Sequence, residues 1–136
     1  MNKKTISYCM NFAISKLDDH PYRIKSNGKM MRSKFLHYSF IIKNNTVVAW
    51  GWNHHGQAPK GFGYSGETIH SEVHAFERAR YYLDSDDKFE VLNLRFNKSG
   101  VLNMSKPCKC CTNFLKTLGC KSVYFSTGCG IASMRI

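Results

Sequence analysis

Four side chains in two distant stretches are of the types that build a zinc centre with an acid–base group beside it. His70 and Glu72 lie in Ile69-His70-Ser71-Glu72-Val73-His74-Ala75, and Cys108 and Cys111 in Lys106-Pro107-Cys108-Lys109-Cys110-Cys111. One imidazole nitrogen and two thiolates are a common zinc ligand set. Three protein ligands leave the fourth tetrahedral position to a water, and zinc lowers the pKa of that water until hydroxide forms near neutral pH. Glu72 is not needed as a ligand, so its carboxylate is free to carry protons between the water and whatever it attacks.

The elements that must position these groups are helix starts. Cys108 and Cys111 are spaced i, i+3 and share a helix face. Pro107 suits a first helical turn, where a missing N–H costs nothing, and Ser105 is the expected N-cap. Both thiols then sit at the positive end of a helix macrodipole, which favours the thiolate that zinc requires. His70 falls at the start of a second helix, with Thr68 as its candidate N-cap.

A different class of reading stays open beside this one: a closed, structural zinc site in a non-catalytic domain that holds nucleic acid through its basic surface. It requires a fourth protein ligand. Cys110 lies between the two ligand cysteines and points off their face, whereas His74, one turn beyond His70, could serve. Helical spacing also fits His74 as a surface or packing residue.

The chain has 136 residues, enough for one domain spanning 1–136 with a real core and too few for two. No apolar run approaches ~18 residues, so no transmembrane helix and no membrane partner are expected. The six cysteines are scattered once Cys108 and Cys111 are set aside, which fits a reducing cytoplasm better than a disulfide framework. The formal charge is +11, and its distribution is uneven: residues 67–90 hold seven of the nine acids, and residues 91–136 hold none. A second acid-free block runs from Arg23 through Lys25, Lys29 and Arg32 to Lys34. Such a field attracts phosphate-bearing partners, a nucleotide or a single-stranded nucleic acid, although a solvated basic surface has the same composition.

Apolar spacing predicts a first helix over 4–17. Phe35 to Lys43 and Thr46 to Trp52 read as a hairpin about Asn44-Asn45. A Gly-rich loop follows from 53 to 68, long enough to be functional. A helix over 69–83, a strand over 89–96, a helix over 107–118 closed by Gly119, and a strand over 121–127 complete the order. Val101 to Met104 extends the third strand after a turn. A fifth strand near 131–136 must be antiparallel to the fourth, because a parallel neighbour needs a crossover of roughly a dozen residues.

This order, with His70-x-Glu72 and Pro107-Cys108-x-x-Cys111, resembles the cytidine deaminase superfamily over about residues 5–130. The run from Ser105 to Thr127 looks like a viral and microbial subset of unassigned substrate. The resemblance implies a three-layer α/β/α sandwich on a mixed sheet of about five strands. It also implies Zn2+ on His70, Cys108 and Cys111, Glu72 as proton shuttle, and hydrolytic deamination of a nucleobase, cytosine before adenine. Gly51-Trp52-Asn53 matches a Gly-x-Asn that places an asparagine against the substrate sugar, and His54 follows it at the pocket mouth or as a plain loop residue. Family members often form dimers or tetramers. Two positions depart from the pattern: no glutamate follows in Asn53-His54-His55, and Lys106 stands where a glutamate commonly precedes Pro-Cys. The substrate therefore stays open among nucleosides, nucleotides and strands. Lys60, Lys98, Lys106 and Lys109 are the cations expected nearest to a substrate phosphate.

Overall fold

The computed structural model describes residues 1–21, 35–64 and 68–136. The basic block from Arg23 to Lys34 lies outside the described residues. In chain order the elements are α1 (Lys3–Lys16) with a 3-10 turn at Leu17–Asp19, then β1 (Phe35–Lys43), β2 (Thr46–Trp52), β3 (His54–His55) and β4 (Thr68–Ile69). Next come α2 (Ser71–Ala79) with a 3-10 turn at Arg80–Tyr82, β5 (Phe89–Asn97), β6 (Leu102–Asn103), α3 (Lys109–Thr117), β7 (Cys120–Thr127) and β8 (Gly130–Arg135).

Asn44 and Asn45 take φ of 50° and 59°, and that two-residue turn has the twist that closes β1 on β2. The sheet runs β2-β1-β5-β7-β8, with β6 beside the end of β5. Among the described residues only β5 and β7 are parallel, joined by the crossover through α3. β8 returns antiparallel, with Thr127 opposite Gly130, as so short a connection demands.

Strand alternation sorts the sheet into two faces. Leu36, Tyr38, Phe40 and Ile42 of β1, with Leu92, Leu94 and Phe96 of β5, pack against Cys9, Ala13 and Leu17 of the first helical segment. The opposite face carries Ile41, Val91 and Val123, covered by Val73, Ala75 and Ala79 of α2 and by Phe114 and Leu115 of α3. Each large side chain buried this way contributes about 1.5–3 kcal/mol. The result is three layers, helix on sheet on helices. Gly51 is needed where α2 crosses β2: a Cβ there would lie 2.3 Å from the Ala75 backbone nitrogen.

The helix-facing row of β1, read backwards, is Ile41, Ser39, His37, and that of β5 is Val91, Asn93, Arg95. The two rows run side by side, with Ser39 opposite Asn93 and His37 opposite Arg95. Each changes from apolar to polar at the same level. The helices cover the apolar part, and the polar part opens into a cleft.

Two local expectations are corrected. Thr68 is not the N-cap of α2; it lies in β4, and His70 takes the cap position without a side-chain cap bond. Ser105 does not cap α3; Cys108 does, its Sγ accepting the Cys111 N–H. Ser105 is held away from the helix, donating from Oγ to the Asn93 carbonyl at 2.8 Å and accepting the Ser126 N–H at 2.7 Å. Pro107 consequently precedes the cap rather than opening the first turn.

Candidate active site

The two helix starts converge. His70 Nδ1 lies 3.2 Å from Cys111 Sγ and 3.7 Å from Cys108 Sγ. The three donor atoms all lie within 4.8 Å of one another and could hold a metal ion. A tetrahedral zinc with its usual Zn–N and Zn–S lengths separates such a nitrogen and sulfur by about 3.6 Å, so the donor set fits that ion in both type and spacing.

The local electrostatics fit as well. The Cys108 thiol is lowered to about 3, first by its hydrogen bond with the Cys111 thiol, then by His70 and the Cys111 backbone N–H. The Cys111 thiol is pushed up, first by Cys108 and next by burial. His70 is raised, chiefly by its contact with Cys108. Ionisation of Cys108 thus opposes that of Cys111. A coordinated divalent cation removes that constraint, because a metal-bound thiol is deprotonated outright.

Neither candidate for a fourth protein ligand joins the group. His74 Nδ1 accepts the Trp52 N–H at 3.1 Å, and its ring packs edge-on against Trp52 at 4.2 Å between centroids. Cys110 Sγ donates to the Gly63 carbonyl at 3.3 Å. The Tyr64 hydroxyl, from the long loop, lies 2.7 Å from Cys111 Sγ, and its ring packs against His70. Burial first, then Cys111, raises the Tyr64 pKa, so it stays a neutral O–H donor to the sulfur.

Glu72 sits in the first turn of α2 and is 5% exposed. Its Oε1 accepts from Ser71 Oγ and its Oε2 from Asn93 Nδ2, both at 3.1 Å. Ser39 Oγ closes the circuit, 2.7 Å from Ser71 Oγ and 2.7 Å from Asn93 Oδ1. A buried carboxylate is costly without such partners. Here neutral donors from one strand and its own helix satisfy it, and among the described residues no cation pairs with it.

His70, Glu72 and Cys108 line one cleft of about 260 Å³, together with Asn53, His37, Arg95 and Lys106. Asn53 is buried against the start of β1, its Oδ1 accepting the His37 N–H at 3.0 Å and its Nδ2 donating to the Phe35 carbonyl at 3.3 Å. Asn53 is also hydrogen-bonded to the buried His20 imidazole, so one Nδ2 hydrogen is what it keeps for a ligand. His54 is outside the lining, with Nδ1 2.9 Å from the Trp52 carbonyl and its ring 4.5 Å from His74. Of the four lysines expected near a substrate phosphate, Lys106 lines the cleft; Lys60, Lys98 and Lys109 do not. His37, Arg95, Asn93 and Tyr64 did not emerge from motif spacing. The signal for the first three is a polar residue at an inward position of an otherwise apolar strand.

No family model matches the sequence, and no curated protein matches it. Solved structures do. The chain superposes on a dCMP deaminase from the cyanophage S-TIM5 in complex with dCMP and dUMP, with 20% identity, 92% of this chain and 82% of that one covered, and a TM-score of 0.56. The apo form of that cyanophage enzyme gives 17% identity, 93% and 86% coverage and a TM-score of 0.51. A cytidine deaminase from Mycobacterium leprae gives 13% identity, 91% and 88% coverage and a TM-score of 0.56. The fold of this chain is the cytidine deaminase-like α/β fold.

Proposed function

We propose that this chain, on its cytidine deaminase-like fold, is a zinc-dependent hydrolytic deaminase that converts cytosine to uracil in a nucleotide or nucleic acid. The observation that carries the reading is the convergence of His70, Cys108 and Cys111 within 4.8 Å, with Glu72 lining the same cleft. The superposed structures are a dCMP deaminase and a cytidine deaminase, which supports the reaction class.

His70, Cys108 and Cys111 would hold the ion. A zinc bound there supplies a water acidified towards hydroxide near neutral pH. Glu72 would carry one proton from the attacking water to the ring nitrogen beside C4 and a second to the exocyclic amine. A C4–O bond forms, the C4–N bond breaks, and ammonia leaves. Asn93 and Ser71 hold the Glu72 carboxylate towards the cleft by their hydrogen bonds to its two oxygens. Tyr64 donates to Cys111 and packs against His70, the outer support that fixes metal ligands. In this reading Asn53 offers its remaining hydrogen-bonding capacity to the sugar and Lys106 lies at the cleft mouth. His54 contributes as packing for His74.

The same reading places the enzyme in a reducing compartment, the cytoplasm, supported by six cysteines that are all free. No helix among the described residues is long and apolar enough to cross a membrane. Metal analysis of the purified chain, paired with ammonia release across cytosine, cytidine, CMP, dCMP, single-stranded DNA and RNA, tests the proposal.

A further inference from the structure

We propose that Arg95, assisted by Lys106, forms an anion subsite in the same cleft that takes the phosphate of a cytosine mononucleotide. The inference rests on the deaminase reading and adds the group that would separate a nucleotide from a nucleoside.

Arg95 stands on β5 two residues beyond Asn93, on the same sheet face, opposite His37. It lines the cleft with Lys106, His70 and Glu72. Its guanidinium lies over the Phe35 ring at 3.6 Å, and its Nη1 donates to the Met104 carbonyl at 3.1 Å. Those contacts fix the plane of the group without neutralising it. Among the described residues Arg95 joins no ion pair, and its Nε is buried without a hydrogen-bond partner. A guanidinium carries five N–H donors in a rigid fork that matches phosphate geometry. Nε has almost no accessible surface, so the Nη hydrogens not spent on Met104 are the donors that an oxyanion in the cleft would meet, with added charge assistance.

The surrounding charge points the same way. Lys106 is exposed at the cleft. The one carboxylate among the lining residues is Glu72, and both its oxygens already accept hydrogen bonds. His37 is lowered to about 3, by burial first and by Arg95 next, so it offers a hydrogen bond and no charge. Away from the candidate metal ligands and Glu72 the cleft is therefore cationic, and among the described residues neither Arg95 nor Lys106 joins an ion pair.

The alternative is that Arg95 only packs on Phe35 and ties down Met104. Steady-state kinetics on the zinc-loaded chain separate the two. The quantity read is the ratio of kcat/KM for CMP over cytidine, and for dCMP over deoxycytidine, at low and high salt. The wild type should favour the monophosphates, less so as salt rises. Arg95→Gln, which keeps a planar group over Phe35, should lower that ratio roughly 10- to 100-fold, the range of a charge-assisted hydrogen bond. Lys106→Glu, at an exposed position, should lower it too and stands in if Arg95→Gln does not fold. Loss of equal size on nucleoside and nucleotide would overturn the subsite, as would a wild type without preference or one that acts on single strands and ignores monophosphates. Calorimetric titration of Glu72→Gln with CMP and with cytidine distinguishes failure of the subsite from failure of the reaction. Preferential CMP binding without wild-type turnover supports the subsite and sinks the deaminase reading. Binding of neither overturns both.

Discussion

Asn93 Nδ2 donates to Glu72 Oε2 at 3.1 Å, joining the middle of the sheet to the first turn of α2. The same amide accepts from Ser39 Oγ at 2.7 Å. Asn93→Ala removes these bonds, and the 3.4 Å one from Nδ2 to the Ser105 carbonyl, and leaves Glu72 to Ser71 alone. Expected are a loss of about 1–3 kcal/mol in urea unfolding and a fall in kcat of one to two orders of magnitude with KM for the nucleotide little changed. A variant that loses stability but keeps kcat would confine Asn93 to a packing role.

Glu72 is not a member of the group that could hold a metal. Glu72→Ala should therefore retain the wild-type zinc content while kcat falls by at least ~10²–10⁴-fold, the usual contribution of a positioned acid–base group. Metal analysis and single-turnover assays on the same preparation check this. Full activity in Glu72→Ala would exclude the proposed shuttle.

In the proposed site, zinc would depend on His70, Cys108 and Cys111. Cys108→Ala should lose the metal, whereas Tyr64→Phe should keep it but yield it to chelator about 10- to 100-fold more readily, as outer-shell losses do. The contact at stake is the 2.7 Å approach of the Tyr64 hydroxyl to Cys111 Sγ. Competition with a zinc-sensitive dye measures both variants. Equal retention in Tyr64→Phe and wild type would show that the hydroxyl does not support the ligand.

Acid should destabilise the fold through buried histidines. His20 is lowered to about 4 and His37 to about 3, in both cases by burial first. The unfolded chain, with pKa near 6.5, therefore binds more protons than the folded chain below that pH. The stability these neutral imidazoles contribute is complete above 6.5 and is lost as pH falls towards 4 and then 3. Urea midpoints measured from pH 7 to 4 should drop, and His37→Gln should make the drop shallower. An unchanged slope in that variant would remove His37 from the account.

How much of this was legible in the sequence depended on whether a rule was local. The Asn44-Asn45 hairpin, the Gly119 helix end and the antiparallel return of β8 follow from turn chemistry and connection length, and they stand where the residues place them. The pairing of His70-x-Glu72 with Cys108 and Cys111 was legible because few chemistries use those types in that order. Caps were less so. Thr68 and Ser105 satisfy capping preferences, but tertiary bonds recruited Thr68 into β4 and Ser105 to Asn93 and Ser126. His37, Asn93 and Arg95 share a signal, a polar side chain at an inward strand position. It becomes readable only once it is known where the helices stop covering the sheet. Tyr64 had none, since a loop has no periodicity to mark which ring turns inward.

Cytosine deamination with zinc at the cleft of His70, Glu72 and Cys108 is the proposed activity. The most direct test is to incubate the purified, zinc-quantified chain with CMP and dCMP and follow conversion to UMP and dUMP by chromatography with stoichiometric ammonia. The account predicts about one zinc per chain and catalytic turnover that disappears in Glu72→Ala and on chelation. A chain that binds zinc through four protein ligands, or that holds one zinc yet forms no uracil product from any cytosine substrate, would contradict it.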